Sequence, residues 1–165
     1  MNEQDRIRMI IADDNFYWCE TMRKYLQQFK EIEILGTTSD GEEQIEMITK
    51  LNPDIVITDL KRKTGISGLE VLKRCQEMQL TKTKFIVETA TYYNEQTKLL
   101  INMGIKHILF KPYTFEDLKN EISAVKNENV KDLMIVKNDI EKKKKSIIDM
   151  IRQKLINLKL NERKG

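Results

Sequence analysis

Short apolar runs recur along this chain at intervals of roughly 25–30 residues, each ending in a polar residue, with helical periodicity between them. This alternation constrains the fold more than any other feature. Arg8-Met9-Ile10-Ile11-Ala12 reads as a buried strand running into Asp13-Asp14. Asn15 then caps a helix predicted to reach Lys30, with Phe16, Cys19, Met22, Leu26 and Phe29 spaced by three and four. Glu33–Gly36 is a short second strand. Ser39-Asp40-Gly41-Glu42 has a capping-box pattern and opens a helix carrying Ile45, Ile48 and Leu51, which Pro53 stops. Asp54–Thr58 is a β-branched third strand ending at Asp59, and a loop through Gly68 leads to a helix with Leu69, Leu72 and Cys75. Lys84–Val87 is a fourth strand ending near Thr89, followed by a helix over Glu95–Met103 with Gly104 as its stop. His107–Phe110 is the fifth strand, running into Lys111-Pro112. Thr114 and Asp117 cap a last helix that reaches about Val125.

Five strands alternating with five helices predict an α/β fold, a doubly wound parallel sheet over residues 1–125. In such a sheet ligands sit beyond the carboxyl ends of the strands, at the switch in strand order. The polar residues after the strands are Asp13 and Asp14, Asp59, Thr89 and Lys111. Three carboxylates brought together repel one another unless a cation neutralises them. Mg²⁺ suits such a set, being hard and oxygen-seeking and commonly bound by carboxylates, water and phosphate. With a lysine and a hydroxyl beside it, the set provides the positioning and charge neutralisation that phosphoryl transfer requires. Asp59 is the candidate nucleophile, since a carboxylate can form an aspartyl phosphate. His107, the only histidine, is read as structural or exposed.

The charge of the chain is divided. Residues 126–165 carry 12 Lys/Arg against 6 Asp/Glu, and residues 1–125 carry 17 against 20, so an acidic domain precedes a basic extension. The extension is read either as a solvated helix or as a surface for nucleic acid or acidic partners. Leu133, Val136, Ile140, Ile147, Ile151, Leu155 and Leu158 form a helical stripe, which Lys142–Lys145 interrupts. That stripe suits an amphipathic helix on its own domain or a helical linker that mediates dimer contact. No apolar run is long enough for a membrane span, and residues 1–8 lack the apolar middle of a secretion signal. Two cysteines without metal-ligand spacing fit a reduced, cytoplasmic setting.

Ile10-Ile11-Ala12-Asp13-Asp14, Asp54-Ile55-Val56-Ile57-Thr58-Asp59-Leu60, Glu88-Thr89-Ala90 and Lys111-Pro112 resemble the signature blocks of the two-component response-regulator receiver family. The resemblance covers residues 6–125. It implies a flavodoxin-like strand order 2-1-3-4-5 and a phosphoacceptor, Asp59, served by a sensor histidine kinase or phosphotransfer protein. Such a phosphoacceptor assists its own phosphorylation and dephosphorylation; it is not an enzyme acting on an external substrate. The resemblance further implies Mg²⁺ bound by Asp14, Asp59 and the backbone carbonyl of Lys61, with Asp13 acting through water. Thr89 and Lys111 would hold phosphoryl oxygens. Phosphorylation would draw Thr89 inward and rearrange the face of the fourth helix and fifth strand, through which, or through the C-terminal helix, a homodimer would form.

Two positions depart from the family pattern. The loop Leu60–Gly68 is basic, lacks the usual Met-Pro, and is one residue longer. Ile108 stands where the family often has a switching Tyr or Phe. These departures leave open a pseudo-receiver, a binding module regulated by protein contact alone. A metal-dependent phosphohydrolase would need a second acid/base carboxylate near the nucleophile, and the position two after Asp59 is Lys61. Residues 147–165 resemble, over a short stretch, the entrance to the DNA-binding domain of the sporulation-initiation response regulator. No helix-turn-helix is visible, so DNA binding is assigned neither to residues 1–125 nor to this segment, and would belong to an effector domain beyond it.

Overall fold

The computed structural model describes residues 6–92 and 94–127. Residues 1–5, Tyr93 and residues 128–165 lie outside the described residues, and with them the apolar stripe, the Lys142–Lys145 block, the helix expected there on its own domain or as a dimer contact, and the segment resembling an effector entrance.

Ten elements alternate without exception. They are β1 (Ile7–Ala12), α1 (Phe16–Leu26), β2 (Ile32–Thr38), α2 (Gly41–Leu51), β3 (Ile55–Asp59), α3 (Gly68–Glu77), β4 (Lys84–Thr89), α4 (Glu95–Asn102), β5 (His107–Phe110) and α5 (Phe115–Lys126). The five strands form one sheet in the order β2-β1-β3-β4-β5, and every pair is parallel. Strand parity sorts the core into two layers. Met9, Ile11, Ile55, Ile57, Ile86 and Leu109 face α1 and α5, whose Met22, Leu26, Leu118 and Ile122 complete that layer. Ile10, Val56 and Val87 face the other side, against Ile48 of α2, Val71 and Leu72 of α3, and Leu100 of α4. A sheet buried on both faces explains why the central strands read as continuous apolar runs.

Several element ends differ from the sequence reading. Helix α1 stops at Leu26 and not near Lys30. Phe29 lies in the following turn, where its N–H donates to the Leu26 carbonyl (3.1 Å) and its ring meets Tyr25 edge-on. Helix α2 is capped by Asp40, not Ser39: the Asp40 carboxylate accepts the Glu43 N–H at 2.9 Å. That helix closes on Asn52 in the left-handed conformation (φ 46°), immediately before Pro53. Strand β2 is longer than predicted and carries a bulge opposite Met9/Ile10. At α5 the predicted cap is present, as a full capping box between Thr114 and Asp117. Among the described residues no helix is long and apolar enough to cross a membrane.

Candidate functional site

Because all strands are parallel, their carboxyl ends open on the same edge of the sheet. There Asp13, Asp14, Asp59, Lys61, Thr89 and Lys111 line one open cavity of about 660 Å³, together with Trp18, Arg62, Lys63 and Tyr113. The sequence-predicted site residues are therefore brought together, with the exception of Ile108. That side chain is half-buried against the cluster of Leu60, Leu72, Val87 and Leu100. His107, at the opposite end of β5, is held by a 2.7 Å contact between its Nδ1 and Glu121.

Local geometry fixes each acidic residue. Asp13 Oδ1 accepts the Asn15 N–H at 2.7 Å, turning the chain from β1 into α1. Asp59 Oδ2 accepts the Lys61 N–H at 2.9 Å, and Asp14 Oδ2 accepts the Lys63 N–H at 2.9 Å. The loop after β3 is thus tied by its backbone to carboxylates on both β1 and β3, which keeps the Lys61 peptide at the site. These donors are all hard oxygens, and they fit the preferences of Mg²⁺.

The ammonium of Lys111 sits among three carboxylates. It donates to Asp59 Oδ1 at 2.7 Å and Asp13 Oδ2 at 2.8 Å, and lies 3.2 Å from Glu88 Oε2. Asp13, Asp59 and Glu88 offer oxygens within 4.8 Å of one another, a group that could hold a metal ion. Lys111 already supplies the cation for that trio. Asp14 lies outside that trio and lines the open cavity.

Burial is the largest influence on the titration of Asp59 and Glu88. It raises the Asp59 pKa, an effect that the hydrogen bond and charge of Lys111 reduce and that the nearby Asp13 charge reinforces. Glu88 is wholly buried and its pKa is likewise raised by desolvation, against the opposing pull of Lys111, Tyr113 and Trp18. For Lys111 burial acts downward, but the Glu88, Asp13 and Asp59 carboxylates outweigh it and the net shift is upward. Lys111 is therefore charged throughout the physiological range.

Three site residues escaped the sequence reading. Glu88 accepts from Trp18 Nε1 at 3.2 Å and from the Tyr113 hydroxyl, besides facing Lys111. Its signal was a charged residue at the same strand parity as the core residue Ile86, directly after the apolar run Phe85–Val87. Tyr113 carried no signal of its own. Of the three basic side chains in the Leu60–Gly68 loop, only Lys61 and Lys63 are exposed. The Arg62 guanidinium folds inward to Gln44 Oε1, to Thr58 Oγ1 (3.3 Å) and to the Ile66 carbonyl (3.4 Å). Burial pulls its pKa down, while Asp59, Asp40, Asp13 and Asp14 act upward.

On the far side of the cavity, Thr89 is buried and its Oγ1 accepts the Thr91 N–H at 3.1 Å. Tyr92, one residue on, stacks on Phe110 with ring centroids 4.9 Å apart, and its hydroxyl donates to the Lys111 carbonyl at 3.4 Å.

Residues 9–123 match the family model described as the response regulator receiver domain. The chain belongs to this family. A curated relative is the probable C4-dicarboxylate response regulator DctR of Halalkalibacterium halodurans, 28% identical over 154 residues, which are 93% of this chain and 64% of that protein. The chain thus spans just under two thirds of the length of that relative. Among solved structures, the receiver domain resembles a DNA-binding response regulator of the LuxR family from Staphylococcus aureus (26% identity, TM-score 0.67, 72% of this chain and 98% of that one). The RcsB response regulator of Salmonella typhimurium has the same fold (23% identity, TM-score 0.70, 83% and 68% of the two chains). So does the receiver domain of NarL from Mycobacterium tuberculosis (21% identity, TM-score 0.67, 75% and 99%).

Proposed function

We propose that this receiver domain accepts a phosphoryl group on Asp59 from the phosphohistidine of a sensor kinase or phosphotransfer protein. The observation that carries this reading is the Lys111 ammonium bridging Asp59 and Asp13 in a cavity also lined by Asp14 and Thr89. An Asp59 carboxylate oxygen attacks phosphorus as the P–N bond to the donor imidazole breaks, and the imidazole leaves with the bonding pair. Lys111 balances charge on the phosphoryl oxygens, and the Thr89 hydroxyl donates to one of them. Asp14, Asp59 and the Lys61 carbonyl would hold Mg²⁺, with Asp13 acting through water. The ion would supply charge neutralisation for the incoming phosphoryl oxygens.

Readout differs from the aromatic swing common in the family, because Ile108 has no ring to move. Thr89 releases the Thr91 N–H when its hydroxyl turns to the phosphoryl group, and the adjoining Tyr92–Phe110 stack shifts with the loop. The α4–β5 face is then the surface altered for a partner or a second copy of the chain. An output in transcription is supported by the DNA-binding regulators among the similar structures.

Incubation with acetyl phosphate and Mg²⁺, followed by intact mass measurement, tests the reading. A single phosphoryl adduct is expected, absent in Asp59→Asn and when Mg²⁺ is removed by chelation. No adduct from acetyl phosphate or from a cognate kinase would instead mark a receiver that works by protein contact alone.

A further inference from the structure

Glu88 is buried beside the phosphoacceptor site, yet the proposed transfer gives it no part. It is wholly inaccessible, and its two oxygens divide the work. Oε1 receives the Tyr113 hydroxyl, while Oε2 faces both Trp18 Nε1 and Lys111 Nζ, each at 3.2 Å. A lysine ammonium has three N–H donors and no more. In this structure the ammonium donates to Asp13 Oδ2 and Asp59 Oδ1, and Glu88 Oε2 completes its surroundings as an ion-pair partner at 3.2 Å. An anion entering the cavity meets a lysine already paired with three carboxylates.

We infer that Glu88 is a positioning residue that restrains Lys111, so that affinity for a phosphoryl donor is set by competition between Glu88 and the incoming anion for the ammonium. The inference rests on the phosphoacceptor reading of Asp59. Asp13 and Asp59 accept from the ammonium at the floor of the site. Glu88 is the acceptor held in place from the core side, by donors on α1 and on the β5–α5 connection. Its grip on Lys111 depends on how much of its charge those donors satisfy. Tyr113 is the informative partner. Its hydroxyl points inward, toward Met22 Sδ at 3.9 Å as well as toward Glu88.

This arrangement predicts changes of opposite sign at two neighbouring residues. Glu88→Gln keeps the shape and an acceptor oxygen but replaces a charge-assisted contact with a neutral one, which releases Lys111 toward the anion. The acetyl phosphate concentration giving half-maximal phosphorylation is then expected to fall on the order of tenfold, the scale of one charged hydrogen bond exchanged for a neutral one. The rate at saturating donor should change little. Tyr113→Phe removes a donor from Glu88, tightens its hold on Lys111, and raises the same half-maximal concentration severalfold. General loosening of the site would weaken both variants alike.

Beryllofluoride binding to the Mg²⁺-loaded chain, read by the fluorescence of Trp18, the only tryptophan, provides a measurement that needs no phosphoryl transfer. It should show the same opposite shifts, and far-ultraviolet circular dichroism checks that both variants fold. If Glu88→Gln leaves anion affinity unchanged or weakens it, or if Tyr113→Phe moves it the same way as Glu88→Gln, the restraint on Lys111 is refuted. If wild type binds beryllofluoride with the expected variant shifts but never gains a phosphoryl group, the transfer reading fails and the role of Glu88 stands. If wild type binds no beryllofluoride, both fall.

Discussion

At the scale of single residues, the site places charges where water is scarce, and the consequences can be measured. The pKa of Asp59 is raised above the ordinary 3.8, with burial as the largest cause. A carboxyl whose folded-state pKa lies above its unfolded value stabilises the fold below the unfolded pKa. That contribution is lost as pH rises through the folded pKa. The charged Asp59 therefore opposes folding at neutral pH in the absence of a divalent cation. Asp59→Asn is expected to melt at a higher temperature than wild type at pH 7 in chelator. That advantage should shrink as pH falls toward the ordinary carboxylate range, which paired thermal melts across pH would reveal. The candidate site was legible to the extent that its members follow strands: Asp13, Asp14, Asp59, Thr89 and Lys111 each sit where parallel topology points them. Glu88 and Arg62 were not legible in this way. Whether a charged side chain inside a strand or loop turns to solvent or to the core depends on partners distant in sequence, here Tyr113 and Gln44.

At the scale of elements, helix starts were easier to read than helix ends. Capping side chains announce a start, as Asn15 and Thr114 do, each accepting the backbone N–H three residues on. Ser39 and Asp40 are adjacent candidates, and only backbone geometry chooses between them. The end of α1 was overrun because Phe29 continues the apolar spacing of Leu26, although it lies half-buried in a turn and not in a helix. The β3–α3 connection shows how closely an element can bear on the site. Gly68 opens α3 directly behind Asp59: a Cβ there would overlap the carbonyl oxygen of that residue and come within 3.0 Å of its carbon and 3.1 Å of Leu60 Cα. These are backbone atoms of a central strand end and yield little. Gly68→Ala is accordingly expected to destabilise the domain by about 1–3 kcal/mol, as overpacking does. It should also slow phosphorylation, because the displaced atoms carry Asp59. Denaturant unfolding with the acetyl phosphate assay separates the two effects.

At the scale of the whole molecule, parallel topology gathers four carboxylates, Asp13, Asp14, Asp59 and Glu88, at one edge of the sheet with a single lysine bridging three of them. A cation that binds only the folded chain stabilises it by mass action, about 2.7 kcal/mol at 100 times its dissociation constant. Mg²⁺ should therefore raise the melting temperature by several degrees for a domain of this size. Two different acidic sets compete to explain such an effect. The tightest trio by distance is Asp13, Asp59 and Glu88, but the ammonium of Lys111 lies among them. Asp14 has no share in that contact and faces the open cavity beside the Lys61–Lys63 backbone. If the ion sits on the Asp14 side, Asp14→Asn abolishes most of the Mg²⁺-dependent rise in melting temperature and Glu88→Gln retains it. If it occupies the buried trio, the two variants exchange these outcomes. The placement of Lys111 favours the first result, since binding in the trio would require the ion to displace a paired ammonium from three carboxylates, one of them wholly buried.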